Sequence, residues 1–461
     1  MEQFEKNDKM AVMPVKKLML AMGVPMIISM VLQALYNIVD SAFISNMAQN
    51  GEAALNALTL AFPFQMLMVA IGIGTGIGTN VLVAQNLGLG DKNKAGKVAG
   101  NAQFLAIVIY LVFLLFGIFG VRFYIATQTA NQLVYDMAVN YLTICCVASP
   151  GVIFFAIYEK LLQASGHSMY STIAQIAGAV TNIILDPIMI YGWLGCPEMG
   201  ATGAAFATVI GQCVSWLLAF LFHLTANKNI PKDLQYLKPS ADVIKGIYAV
   251  GLPAIIAQAL MSVMTYGLNI ILVSVSEAMV TAYGLFYKIQ QFILFAAFGL
   301  RDAITPIVSF AYGMGNQKRI RDGIKYGLLY TLMIMVAGTV AAEALALPFG
   351  SLFRLSGETE TAFIGAMRII SISFLFAGIN IALQGVFQAL NKGLASLTVS
   401  FGRQLIFVLP VAWGFAQITL RFQITGWIIW ITFLLAEIAT SIIAYFLMKR
   451  TNRFISQFKT A

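Results

Sequence analysis

The chain has 461 residues, of which 59% are hydrophobic and only 10% are charged, with a formal net charge of +9. Soluble domains carry roughly 25% charged residues, so a soluble multidomain enzyme is excluded. Four cysteines exclude a disulfide-dense secreted scaffold, and the apolar content excludes a disordered chain.

A polytopic helical membrane protein remains. Only helices and closed barrels satisfy the backbone in lipid, and the apolar runs are too long and continuous for barrel strands. A spanning helix needs about 20 mostly apolar residues. In chain order this predicts twelve spans, at about 17–45, 54–87, 98–120, 134–157, 168–191, 201–224, 244–274, 279–312, 323–347, 361–388, 395–417 and 424–448. Lys16 and Lys17 directly precede a first span too long for the core of a cleavable signal.

The basic residues test this count. Lys6, Lys9, Lys16 and Lys17 precede span one, and Lys92, Lys94 and Lys97 lie between spans two and three. Lys160 follows span four, and Lys228, Lys232, Lys238 and Lys245 lie between six and seven. Lys318, Arg319, Arg321 and Lys325 lie between eight and nine, and Lys392 follows ten. Lys449, Arg450, Arg453 and Lys459 end the chain. That places 21 of the 28 basic residues on one side, against Arg122, Arg354 and Arg421 on the other. The asymmetry predicts a multi-pass protein of the plasma (inner) membrane with both termini cytoplasmic. The positive charge is then a topology signal; spread over separate short loops, it makes no nucleic-acid surface.

The two halves repeat. Gly23-Val-Pro25 opens span one and Gly251-Leu-Pro253 opens span seven. Gly88-Leu-Gly-Asp91 ends span two and Gly313-Met-Gly-Asn316 ends span eight; Gln163-Ala and Gln388-Ala precede spans five and eleven. Three pairs in order at one spacing mark a repeat. The expected fold is an all-α integral membrane protein, twelve transmembrane helices in two six-helix pseudo-symmetric bundles. The expected division is an amino-terminal lobe over 1–225, a cytoplasmic linker over 226–245 and a carboxy-terminal lobe over 246–461. Six spans is an even unit, so the lobes relate by an axis along the membrane normal, an arrangement suited to alternating access.

Ionisable residues inside spans are candidates for function, because burying them is costly. Asp40 lies near the outer end of span one and Asp186 near that of span five, at similar depth in one lobe. Asn182 shares a helix face with Asp186, and Pro187 cannot bond the carbonyl of Ile183, which invites a bend. These oxygens suit a proton or Na⁺. Alternatively, both aspartates are helix-end residues bonded in the headgroup region. Arg301 and Asp302 point in different directions and pair with other helices, or serve as substrate counter-charges. The same two readings hold for Lys288, Glu343, Arg368, Arg403 and Glu437. The glycine run from Gly72 to Gly78 lacks the lysine of a phosphate loop and reads as close helix packing. No nucleotide motif is present, so no nucleotide is expected to drive the protein. His167 and His223 are far apart, and Cys145, Cys146, Cys196 and Cys213 lack metal-site spacing, so no metal is expected. No nucleophile–base constellation points to an enzyme.

This pattern resembles the multidrug and toxic compound extrusion (MATE) family over nearly the whole chain. Its most specific pieces are Ala34-Leu-Tyr-Asn-Ile-Val-Asp40, Asn182 with Asp186-Pro187, and Gly203-Ala-Ala-Phe-Ala-Thr208, which are similar to the bacterial branch containing DinF and MepA-like exporters. The resemblance implies a secondary antiporter that exports amphipathic, often cationic, small molecules in exchange for H⁺ or Na⁺, with no other cofactor and no partner beyond substrates and membrane lipids. A monomer is expected. The resemblance puts the cation-coupling site on Asp40, Asn182, Asp186 and Thr208. It places Gln33, Tyr36 and Asn37 at the lobe cavity, and makes Pro25 and Pro187 bending points. The NorM-like branch carries carboxylates early in span seven and in span ten. Here span seven has none at its start and span ten offers Asn380 and Gln384, so that branch's carboxyl-lobe Na⁺ site is not expected, and the amino lobe is the place to look for a coupling ion.

Other readings have their own signatures. A flippase for a lipid-linked precursor, which related folds perform, would use Arg301, Arg368 and Arg403 in a cationic cavity. The major facilitator architecture would show Gly-x-x-x-Asp between spans two and three, whereas Gly88-Leu-Gly-Asp91 has the wrong spacing. An intramembrane enzyme would need a histidine or serine–lysine constellation at membrane depth.

Overall fold

A computed structural model of the chain describes residues 9–47, 51–148, 150–353, 355–422 and 426–456; within these, the side chains of Asn37, Ile38, Ser41, Ser45, Leu352 and Phe454 lie outside the description. Lys6, Arg354 and Lys459 also lie outside the described residues. The described residues fold as helices and short connections, with no strand among them. Among the described residues ten helices are long and apolar enough to cross a membrane, and two bent pairs, each taken as one span, bring the number to twelve. Span one is Val15–Ser45, two Gly51–Gly88, three Lys92–Phe119, five Ser168–Tyr191 and six Ala201–Thr225. Span seven is Ala241–Val273, eight Glu277–Gly313 and nine Gln317–Leu352. Span four comprises Gln132–Val147 and Pro150–Ala164, which diverge by 44°, and span ten Gly357–Ile372 and Phe374–Ala389, bent by 50°. Span eleven covers Gly393–Phe422 and span twelve Gly426–Arg453.

The repeated motifs have a common physical cause. Gly90 and Gly315 both adopt the left-handed conformation, at φ 78° and 65°, which a side chain resists. The next residue caps the following helix: Asp91 accepts from the Lys94 N–H at 2.9 Å and Asn316 from the Arg319 N–H at 3.0 Å. Gly166 and Asn391 repeat the left-handed turn after spans four and ten, at φ 82° and 58°.

Two compact units divide the chain. The first holds the stretch up to Val12 together with residues 28–255; the second holds 13–27 and 256–461. The divisions fall just beyond Pro25 and Pro253, inside spans one and seven, where a proline removes one backbone hydrogen bond.

In the first unit, the glycine run of span two packs on the early part of span seven. A Cβ on Gly74 would lie 2.8 Å from the Gly251 carbonyl oxygen, and one on Gly251 2.7 Å from that of Gly74. The run is a packing surface, as its composition suggested. Spans five and six approach equally closely at Gly178 and Gly211, where a Cβ on Gly211 would meet the Gly178 carbonyl oxygen at 2.7 Å. The connection after span six is clamped by Asn101 of span three. Its Nδ2 donates to the carbonyls of Tyr236 and Lys238 at 3.3 and 3.2 Å, and its Oδ1 accepts from the Ser240 N–H at 2.7 Å.

Lys160 departs from the sequence expectation. It does not lie in a loop after span four but inside Pro150–Ala164, only 2% exposed, with Nζ donating to Gln163 Oε1 at 2.9 Å and 4.0 Å from Glu159. It shares the helix end with Glu159 and Gln163, a polar stretch that hydropathy alone cannot separate from a loop.

The second unit has an aromatic core around Tyr283, Phe286, Phe374 and Trp430. Arg301 and Asp302 do not point apart: the guanidinium folds back and donates to Asp302 Oδ1 from Nε at 3.0 Å and from Nη2 at 2.8 Å. A long, flexible side chain closes the angle that the helix puts between adjacent Cβ atoms. Arg403 pairs with Glu437 between spans eleven and twelve, again through Nε and Nη2, at 3.0 and 2.8 Å. Lys288, Glu343 and Arg368 are exposed.

Candidate functional site

Asp40 and Tyr36 sit one turn apart on span one and so share a face. Span five carries Asn182 and Asp186 one turn apart, followed by Pro187 within the helix. Span six brings Thr208 against them. Asn182, Asp186 and Thr208 are 2%, 0% and 5% exposed.

The carboxyl of Asp40 meets that of Asp186. Asn182 joins span five to span six: with its amide oxygen accepting from the Thr208 N–H at 3.1 Å, its NH₂ reaches Asp186 Oδ2 at 3.2 Å. The Tyr36 hydroxyl lies beside Thr208 and near both carboxylates. Asp40 Oδ1 and Thr208 Oγ1 are buried without a hydrogen-bond partner among the described residues. A buried oxygen left unbonded costs about 1–3 kcal/mol, so this cluster has unmet capacity for a proton or a hard cation.

Span one is laced to span five on both sides of this cluster. Ser29 Oγ donates to Gln175 Oε1, Gln175 Nε2 donates to Gln33 Oε1 at 3.1 Å, and the Tyr191 hydroxyl donates to the Phe43 carbonyl at 2.5 Å. Gln33 is thus bonded to span five. The Asn37 side chain lies outside the described residues. Pro25 lies in the other compact unit, fifteen residues before Asp40 on the same helix.

A further layer was missed from the sequence. Tyr141 and Cys145 of span four neighbour Asp40, and Gln65 of span two donates to both, at 3.3 and 3.2 Å. A cavity of about 20 Å³ opens beside Gln65 and Cys145, room for about one water. Tyr141 and Cys145 are spaced i, i+4, a signal too common in apolar spans to single them out.

Two of the three arginines expected of a lipid-precursor cavity are otherwise engaged. Arg301 and Arg403 are each paired with a carboxylate, and Arg368 is exposed. Among the described residues no group of three or more histidine, cysteine, aspartate or glutamate side chains could hold a metal ion.

Comparison with known proteins identifies the family and the fold. The MatE family model matches residues 25–188 and 253–413, two segments in the register of the internal repeat. The chain is 25% identical over 449 residues to a multidrug export protein MepA of Staphylococcus aureus, covering 97% of this chain and 96% of that one. It is 26% identical over 457 residues to the MepA of Staphylococcus saprophyticus, with the same coverage. Among solved structures, an outward-facing MATE transporter of the MOP superfamily superposes with a TM-score of 0.91 at 23% identity, over 98% of this chain and 99% of that one. A MOP superfamily transporter from Pyrococcus furiosus, described as having a binding pocket of reverse polarity, gives 0.88 at 24% identity over 99% of both chains. With both halves matched across most of its length and the same fold throughout, the chain belongs to the MatE family of membrane transporters.

Proposed function

We propose that the protein is a secondary antiporter of the plasma membrane, with both termini cytoplasmic, that exports amphipathic, often cationic, small molecules in exchange for H⁺ or Na⁺. The meeting of Asp40 and Asp186 in a buried cluster with Asn182 and Thr208 carries this reading. Two carboxylates at short range resist joint ionisation, and a bound proton or Na⁺ relieves that repulsion. The cation also satisfies the unbonded oxygens of Asp40 and Thr208, drawing span one onto spans five and six. Release frees span one, and Pro25 and Pro187 are the points where its motion and that of span five concentrate. Coupling requires that ion and substrate bind the two conformations differently. A substrate cation competing for the same carboxylates supplies that difference. The relatives named multidrug export proteins support the choice of substrate class.

The test is ethidium efflux from vesicles with an imposed pH or Na⁺ gradient. One of the two gradients should drive efflux by the native protein, and Asp40→Asn should abolish that dependence. Efflux that persists in Asp40→Asn with its gradient dependence unchanged refutes the coupling role.

A further inference from the structure

Span eleven is interrupted by a π-helical turn over Gly402–Ile406, closed by the Phe407 N–H donating to the Gly402 carbonyl at 3.2 Å. Its counterpart, span five, is an uninterrupted helix. Such turns are rare and concentrate where a helix must aim side chains it would otherwise turn away. Here the turn carries Arg403 and Gln404 into a cavity of about 50 Å³ within the second unit. That is several times the room one water needs.

The polar lining of the cavity is Gln290, Gln291, Gln404 and the Arg403–Glu437 pair. Its apolar lining includes Met264, Phe298 and Phe433. Gln404 is 8% exposed, and its Oε1 is buried with no hydrogen-bond partner among the described residues. The polar lining is fixed from behind. Glu437 Oε1 takes both Arg403 bonds, Oε2 takes Asn380 Nδ2 at 2.7 Å, and Ser441 Oγ holds Asn380 Oδ1 at 3.2 Å.

These features select a ligand by charge. The Glu437 carboxylate is already matched by a guanidinium, so an entering cation meets no unpaired anion. The Phe298 ring already has the Arg301 guanidinium 4.9 Å from its centroid. An entering anion likewise finds Arg403 committed, and an unpaired charge is costly to desolvate. A neutral planar group meets none of these penalties. It stacks on the apolar lining, which Met264 can reshape, and a donor–acceptor edge pairs with the Gln404 amide.

We propose that this pocket is a second ligand site, taking a neutral planar ring system with a lactam-like edge. The extension that it holds the aromatic end of an exported amphiphile rests on the export reading above; the binding itself does not.

The test compares isocarbostyril with N-methylisocarbostyril, which has the same shape but no N–H. Binding to the purified full-length transporter in lipid nanodiscs is measured by equilibrium dialysis, with empty nanodiscs subtracted. In the native protein, N-methylation should weaken binding about tenfold, the effect of one buried hydrogen bond. Gln404→Leu should bind both compounds equally weakly, and Met264→Trp, which fills the cavity with a larger lining side chain, should bind neither. Equal binding of the two compounds by the native protein overturns the proposal, as does discrimination that survives Gln404→Leu. Ethidium efflux run in parallel separates the two readings, since a protein that exports but fails the lactam comparison loses only this pocket.

Discussion

The Arg403–Glu437 pair can be tested as an energetic unit. Its side chains are 6% and 10% exposed, with Nη2 2.8 Å from Oε1. Unit charges about 4 Å apart attract by about 4 kcal/mol at an effective dielectric constant near 20. Removing one partner also strands the other, so breaking a buried pair costs roughly 3–5 kcal/mol. Arg403→Met leaves Glu437 with Asn380 as its bonding partner among those described here, a neutral amide in place of a guanidinium. Glu437→Met leaves a buried guanidinium with no carboxylate on span twelve. Each single variant should therefore lose about 3 kcal/mol. The double variant removes both charges and fills the space with thioethers, so it should lose only about 1 kcal/mol. Singles and double together then give a coupling of about 5 kcal/mol. The measurement is reversible unfolding in mixed micelles, followed by tryptophan fluorescence and arranged as a double-mutant cycle. If the two single losses add to within about 0.5 kcal/mol of the double, the charges do not act on each other and the pocket floor is not built as described.

Two further outcomes follow from close packing and from the clamp on the connection after span six. Gly178→Ala drives a Cβ into the Ser215 hydroxyl and the Gly211 carbonyl oxygen; overpacking of this kind costs about 1–3 kcal/mol, so the melting midpoint in detergent should fall, while Gly284→Ala, in open space within a helix, should hold or raise it. Asn101→Ala removes the bonds that hold Tyr236, Lys238 and Ser240. At about 1 kcal/mol net for each of three bonds, chymotrypsin should cut after Tyr236 roughly a hundredfold faster, and an unchanged cleavage rate would count against the clamp.

The spans were legible because apolar length is a one-dimensional property. Asp40 and Asp186 could be picked out because charged residues are costly in lipid, and the spacing of Asn182 and Asp186 fixed the face those two share; Gln33 came from the family resemblance alone. Position along the helix does not say which side chains meet across helices. Gln65 and Tyr141 therefore carried no signal, and Cys145 read only as a cysteine without metal-site spacing, until the fold brought spans two and four together near Asp40. Lys160 was misplaced for the opposite reason. A lysine four residues from a helix end looks like a loop residue, and what buries it are side chains such as Gln163 that only the packing supplies. Arg403 marked the place of the π-helical turn of span eleven as a charge inside a span, but nothing in Gly402–Ile406 announces a change of helical pitch.

Lys160 and Arg301 are linked by a relation that neither half of the chain shows by itself. Lys160 packs on span two at Gly76, where a Cβ would lie 2.8 Å from its Cγ; Arg301 packs on span ten at Gly385, again with a Cβ 2.8 Å from its Cγ. In the register of the repeat, Gly76 corresponds to Arg301 and Lys160 to Gly385. Each half thus has one buried cation and one glycine at the same helix crossing, with the two residues exchanged between helices. Each cation also has a carboxylate next to it in sequence, Glu159 in one half and Asp302 in the other. The common element is a space for one long cationic side chain, whichever helix supplies it. Gly76→Lys alone should overpack this space and lose about 1–3 kcal/mol, and Lys160→Gly alone should leave it empty and its polar neighbours unbonded, at a similar loss. Combined, the two substitutions keep the composition and refill the space from span two, as the second half does from span eight. The exchanged protein should recover most of the lost stability and retain efflux, whereas a double variant no more stable than the worse single one would show that the crossing depends on Lys160 itself and not on the space it occupies.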